Sequence, residues 1–176
     1  MRLYERLLSA YGRQQWWPAD SPFEIAVGAV LTQNTNWSNV ERAIANLKAA
    51  GALSLEALVA LQPPELAQLI RPSGYYNVKA ERLRQLCLYL DRAGGLDVLR
   101  EQPLDAARRG LLTVKGVGPE TADDILLYAL DRPVFVIDTY TRRLLERHAL
   151  AVGDESYDAL RLGFEAVLPT DPGLFK

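Results

Sequence analysis

The chain has 176 residues, 49% of them apolar and 24% charged, with a formal net charge of −2 and a pI near 5.5. That size and balance suit one or two compact domains, and exclude a disordered tail, a collagen-like repeat and a disulfide-stapled miniprotein. The single cysteine, Cys87, excludes an internal disulfide, a cysteine-ligated zinc site or an iron–sulfur cluster held by this chain alone.

From the N-terminus, charges alternate with apolar residues and no signal-peptide run appears, so a cytosolic protein is expected, nucleoid-associated if bacterial. Nowhere does an apolar stretch approach the roughly 20 residues of a membrane span. Leu3, Leu7, Leu8 and Tyr11 share one helical face. A break follows from Trp17-Pro18 to Pro22. Val40, Ala43, Ile44 and Leu47 share the next face, closed by Gly51, and Ser54 is placed to cap a further helix. Pro63-Pro64 and the run from Pro72 to Gly74 interrupt the pattern again. Leu83, Leu86, Cys87 and Leu90 resume it up to Gly94-Gly95, and Asp105, after Pro103, is a second candidate cap. Beyond Gly116 to Pro119 come Ile125, Leu126 and Ala129, then Val134-Phe135-Val136-Ile137, the only β-like stretch, and a helix over Thr139–Arg147. The spacing predicts an all-α protein of about nine or ten helices joined by short loops.

Charge is uneven along this order. Residues 1–70 carry a net −1, residues 71–115 a net +4, and residues 116–176 a net −5. The basic stretch comprises Arg71, Lys79, Arg82, Arg84, Arg92, Arg100, Arg108, Arg109 and Lys115. It reads either as solvated helix faces or as a positive face suited to phosphate.

The most informative segment runs from Leu111 to Leu126 and contains Lys115-Gly116-Val117-Gly118-Pro119-Glu120-Thr121. A helix ends, a Gly-x-Gly turn follows, and a second helix starts with proline in its first turn. Glycines allow positive φ and leave backbone N–H groups uncovered, which with the helix N-terminus suit an anion. Alone, such a turn is equally a ligand-free connection between helices, with Val117 anchoring it inward. Twenty residues after Gly118 stands Asp138, at the end of the apolar run. On local sequence it reads as an N-cap.

Hairpin and aspartate together resemble the helix–hairpin–helix DNA glycosylase superfamily. Two further segments fit it, Ala29-Val30-Leu31-Thr32-Gln33-Asn34-Thr35 and Ser73-Gly74-Tyr75-Tyr76-Asn77-Val78-Lys79-Ala80, so the resemblance spans residues 29–143. It implies the all-α helix–hairpin–helix glycosylase fold, with two helical subdomains flanking an active-site cleft. A central domain over 23–132 would contain the hairpin at about 107–130. Residues 1–22 plus 133–176 would form the second subdomain, expected to be incomplete at its C-terminus. The resemblance assigns Asp138 as the catalytic carboxylate, which would stabilise positive charge on the sugar as the N-glycosidic bond breaks. Gln33, Asn34, Lys115, Gly116, Val117, Gly118 and Thr121 would meet DNA, Gln33 filling the gap left by an extruded nucleotide. Gln33 is as readily an ordinary helix-end residue.

Bifunctional members such as endonuclease III carry a lysine two residues after the second glycine, where this chain has Glu120. A monofunctional enzyme that leaves an abasic site is therefore expected. Glu120, the Trp16-Trp17-Pro18 run and Leu-Thr-Gln-Asn-Thr look like the 3-methyladenine glycosylase branch. There an aromatic residue, here Trp37, stacks on the flipped base, and Trp16, Trp17 and Pro18 wall the pocket. The tryptophans would attract a cationic alkylated purine by about 0.5–2 kcal/mol. For each of them core packing is the competing reading; Glu120 would belong to the same pocket and touch the substrate, or merely stand favourably at a helix N-terminus. His148 reads as packing or a helix end.

The four cluster cysteines of endonuclease III have no match, which fits either the cluster-free branch or a shortened chain. No metal or cofactor is expected beyond a monovalent cation at the hairpin, and the partner is double-stranded DNA with a damaged base, bound by a monomer. The competing functions are a glycosylase for oxidised or mismatched bases and a non-catalytic hairpin DNA-binding module.

Overall fold

A computed structural model describes residues 2–14, 16–151 and 153–176, with side chains for all of these except Arg2 and Leu3. The described residues form twelve α-helices and no strand. In chain order they are α1 (Arg2–Tyr11), α2 (Pro22–Leu31), α3 (Trp37–Ala49), α4 (Leu55–Ala60), α5 (Pro63–Leu69) and α6 (Tyr76–Ala93). These are followed by α7 (Leu96–Glu101), α8 (Leu104–Leu112), α9 (Pro119–Asp124), α10 (Thr139–Arg147), α11 (Tyr157–Val167) and α12 (Pro172–Phe175).

Helix α2 lies at the centre. Its N-cap, Ser21, accepts the Glu24 N–H at 3.1 Å, and every residue of 26–31 is buried. A helix apolar on all sides needs neighbours on all sides, and α2 packs on α3, α6, α9 and the turn that follows α9. Each Leu or Val sealed there contributes about 1.5–3 kcal/mol. Cys87 belongs to this core, and burial pushes its thiol up to about 12, far from thiolate chemistry at neutral pH.

Several expectations are refined. Ser54 caps α4 as predicted, accepting Ala57 N–H at 3.2 Å. Asp105 does not cap: α8 begins at Leu104 after Pro103, which leaves Asp105 inside the first turn. There it favours the positive helix end without closing it. Pro63 and Pro64 start α5 rather than merely breaking the chain. The apolar face of α1 does not reach the core, since Leu7 is 45% and Tyr11 72% exposed; the side chain of Leu3, expected on that face, lies outside the described residues. Residues 132–138 form no ladder and connect instead to α10. Phe135 stacks on Phe164 of α11 at 4.2 Å and meets Phe175 of α12 edge-on at 5.4 Å. His148 is the C-cap of α10.

After Asp124 the helix widens into a π turn over Ile125–Ala129, in which Leu130 N–H reaches Ile125 C=O at 3.1 Å. Such a turn inserts one residue into the helical repeat and re-aims the side chains around it. It is buried and packs against α2.

The basic stretch is only partly a surface. Lys79 is 1% exposed, and its Nζ donates to the carbonyls of Leu31 (2.9 Å) and Ser73 (2.6 Å). Burial lowers its pKa to about 8, aided by the nearby Arg82 charge. Arg108 is paired with buried Asp123 at 2.7 Å and with Asp158. Two of the nine cations counted as a positive face are thus internal fasteners.

Candidate active site

A cleft of about 1090 Å³ opens between the end of α2 with the loop into α3, the hairpin that joins α8 to α9, and the segment entering α10. The hairpin turn is built from two glycines with different roles. Gly116 sits at φ +94°, the left-handed side favoured by glycine, and a Cβ there would collide with the stem of Arg82. Gly118 has ordinary extended geometry and open space around it. Positive φ, expected of both, is needed only at Gly116; Gly118 instead leaves the backbone bare at the N-terminus of α9. Val117 is buried beneath the turn, as its position between glycines predicts.

A chain of hydrogen bonds locks this turn to the core. Lys79 of α6 holds the last carbonyl of α2. One turn further along α6, Arg82 donates to Gln33 Oε1. Gln33 Nε2 in turn donates to Gly116 C=O at 3.1 Å and to Thr121 Oγ1 at 3.0 Å. Gln33 and Thr121 are therefore pins between α2 and the hairpin in the free protein. Asn34 takes positive φ just after them and stays exposed on the cleft wall.

The cleft is aromatic on one side and acidic on the other. Trp16, 47% exposed, and Trp37 both line it, with ring centroids 5.2 Å apart. Trp17 does not line it. It packs edge-on to Trp37 at 5.7 Å and against Tyr128 at 5.2 Å, and its ring lies on Gly28 of α2, where a Cβ would come within 3.2 Å. Trp17 and Pro18, expected to wall the base pocket, border an adjoining depression with Glu24, Lys48 and Trp37, which lines both spaces. Trp17 is the buttress behind the other two tryptophans.

Opposite stand three carboxyl groups. Asp138 is the N-cap of α10, its Oδ1 accepting Thr141 N–H at 2.6 Å, so the cap reading and a fixed carboxylate on the cleft are the same fact. Glu120 keeps solvent contact, yet the cleft walls desolvate it and Asp138 repels its charge, which together raise its pKa. Asp124, one turn further along α9, sits at the cleft floor and is buried. Desolvation, then the charges of Glu120, Asp138 and Asp123, hold its pKa well above the usual carboxylate range. At the mouth, Tyr140 is 75% exposed with the Arg143 guanidinium 5.6 Å from its ring centroid.

Lysine is missing from the lining. Of the four lysines in the chain, Lys48 pairs with Asp20 and Glu24, Lys79 is buried, and Lys176 pairs with Asp131. Lys115 faces a separate groove with Gln85, Tyr89 and Thr113. Among the expected DNA-contacting residues it is the one outside the cleft. Asp124, Tyr140, Arg143, Arg82 and Tyr157 line the cleft but are absent from the sequence-based set. For Asp124 the signal is present in the i, i+4 spacing from Glu120, which puts both on one face of α9.

Residues 27–170 match the family model described as HhH-GPD superfamily base excision DNA repair protein. A Methanocaldococcus jannaschii protein assigned as a DNA repair glycosylase is 43% identical over 178 aligned residues, covering 99% of this chain and 81% of that one. Endonuclease III of Thermotoga maritima is 32% identical over 72% of this chain and 56% of its own length. Among solved structures, the H. pylori 3-methyladenine DNA glycosylase bound to 1,N6-ethenoadenine superposes with a TM-score of 0.81 at 31% identity, covering 99% of this chain and 89% of that one. The chain belongs to the HhH-GPD superfamily of base excision DNA repair proteins, as one of its DNA glycosylases.

Proposed function

We propose that the chain is a monofunctional glycosylase that extrudes an alkylated purine of the 3-methyladenine type from duplex DNA and hydrolyses its N-glycosidic bond. The observation that carries this reading is a cleft with two tryptophans on one wall, three carboxyl groups opposite and no lysine lining it. Its likeness to the H. pylori 3-methyladenine glycosylase supports the same substrate class.

An N3-alkylated adenine is cationic, so its bond to the sugar is already weak and selection is the larger task. The faces of Trp16 and Trp37 stack on the extruded ring and attract its positive charge. As the C1′–N bond breaks, its electron pair leaves with the base and neutralises it, while positive charge develops on the sugar. Asp138, held by its cap bond, stabilises that charge and orients a water whose oxygen bonds to C1′. The water's proton passes to the carboxylate and solvent, leaving an abasic site. The bare N–H groups at Gly118 and the start of α9 donate to a phosphate, with Arg82 and Arg143 nearby.

A Schiff base to the sugar requires an amine in the cleft, and the four lysine positions support hydrolysis instead. A monovalent cation at the hairpin would be held by backbone carbonyls of the turn. Those of Val114, Gly116 and Gly118 already accept Val117 N–H, the Gln33 amide and Ala122 N–H. Each of these carbonyls keeps a second lone pair that such an ion would use, and no step is assigned to it.

The test is release of bases from methylated, oxidised and mismatched duplexes. Release of methylated purines, with a fall of orders of magnitude in Asp138→Asn while abasic-DNA binding persists, is expected. No release from methylated DNA, or a borohydride-trapped protein–DNA adduct, would overturn the reading.

A further inference from the structure

We propose that Asp124 reads the edge of the extruded base from the floor of the cleft. The inference rests on the glycosylase reading above and adds a base-contacting residue to it. Asp124 is 8% exposed, lines the cleft, and makes no side-chain hydrogen bond among the described residues. Among the described residues no buried side-chain polar atom lacks a partner, so the Asp124 carboxyl meets the open cleft rather than an internal donor. Trp16, Trp37 and Asp138 line the same cleft.

The groups around Asp124 decide its form. Glu120 and Asp123 stand on its own helix, Asp138 at the start of α10, Tyr128 on the π turn and Tyr157 on α11. Of the nearby cations, Arg108 and Arg161 pair with Asp123 and Asp158, Arg142 donates to Glu155 C=O and acts on Glu120, and Arg82 and Arg143 line the same cleft. With three carboxyl groups this close and Asp124 the most desolvated of them, burial first and then the neighbouring charges favour the protonated form of Asp124. A protonated carboxyl presents one donor beside one acceptor. Adenine offers the complement on one edge, an N7 acceptor beside the N6 amine donor, whereas guanine offers two acceptors there. Asp124 therefore favours adenine-type bases.

Three proteins decide the matter: wild type, Asp124→Asn and Asp124→Leu. Each is assayed for kcat/KM of base release from methylated duplex across pH, for the ratio of 3-methyladenine to 7-methylguanine released, and for abasic-DNA binding. Asp124→Leu is expected to lose about tenfold to a hundredfold in kcat/KM, mostly through KM, and to lose preference for 3-methyladenine, because a polar edge is left unpaired. Abasic binding, which involves no base, stays unchanged and reports folding. Asp124→Asn keeps a donor and an acceptor and is expected to rescue release toward wild type while abolishing its alkaline limb. Wild-type release from Asp124→Leu at an unchanged base ratio, or an Asp124→Asn loss as deep as that of leucine, would overturn the proposal. If wild type cleaves only oxidised or mismatched DNA, the alkylated-purine reading fails by itself, and the same variants on that substrate still decide Asp124. No release from any duplex overturns both.

Discussion

Replacing Gly116 by alanine separates the two glycines of the hairpin. At φ +94° an L-residue costs about 1–2 kcal/mol in backbone strain. The new Cβ would also overlap Arg82 Cγ and lie 2.8 Å from Cδ and 3.0 Å from Cβ, so the arginine stem must move. Moving it gives up the Arg82 hydrogen bond to Gln33, about 1.5–3 kcal/mol for a charged donor. The expected loss is about 2.5–5 kcal/mol, read as a shifted urea midpoint at constant slope. Gly118→Ala has neither problem: its φ is −91° and nothing lies within 4 Å. Its small capping penalty and the gain from a stiffer unfolded chain roughly cancel, leaving stability within about 1 kcal/mol. Its effect should appear in abasic-DNA affinity, where the added methyl covers the bare turn. Arg82→Ala in the Gly116→Ala background removes the overlaps with Cγ and Cδ and leaves only the Cβ contact, so the double mutant should cost less than the two single losses added together. Equal destabilisation by Gly116→Ala and Gly118→Ala, or strict additivity with Arg82→Ala, would refute the reasoning.

Other expectations follow from the same geometry. Asp138→Asn keeps the α10 cap, so its unfolding midpoint should stay within about 0.5 kcal/mol of wild type while base release collapses; Asp138→Ala should lose the cap as well, about 1 kcal/mol more. Lys79→Met leaves the Leu31 and Ser73 carbonyls unpaired and should destabilise by about 1–3 kcal/mol in urea unfolding. Asp124 has a folded-state pKa above its unfolded one, as do Glu120 and Asp123, so the native state binds more protons between those values. Stability should therefore decline as pH rises from the ordinary carboxylate range, and Asp124→Asn should flatten that slope in unfolding curves taken across pH. With Lys79 and Arg108 internal, about three cations (Arg82, Arg143 and Lys115) remain near the cleft or hairpin. The slope of log affinity for DNA against log salt should then be about −3, and a slope steeper than twice that would mean a positive face that these contacts omit.

Much of this molecule is legible along the chain because its signals are local. Apolar spacing marks the helices, the proline after Gly118 marks the start of α9, and an aspartate before Thr139 marks a cap, each set by hydrogen bonds within four residues. The resemblance of the hairpin and Asp138 to a glycosylase likewise lies in spacing, and both meet at one cleft. What depends on a distant partner is not written there. Neighbouring tryptophans differ because Gly28, eleven positions beyond Trp17, receives the ring of Trp17 and leaves Trp16 on the cleft. Lys79 and Arg108 read as surface charge until α2 and α9 bring a carbonyl and a carboxylate to them. Asp124 reads as an ordinary helical acid until the π turn beyond it and Asp138 opposite give it a buried, acidic setting on the cleft floor. By itself the sequence determined the helices and which segments carry the chemistry, since backbone periodicity is local. Only the tertiary structure decided which side chains face the cleft, since exposure and charge state are properties of the groups packed around a residue.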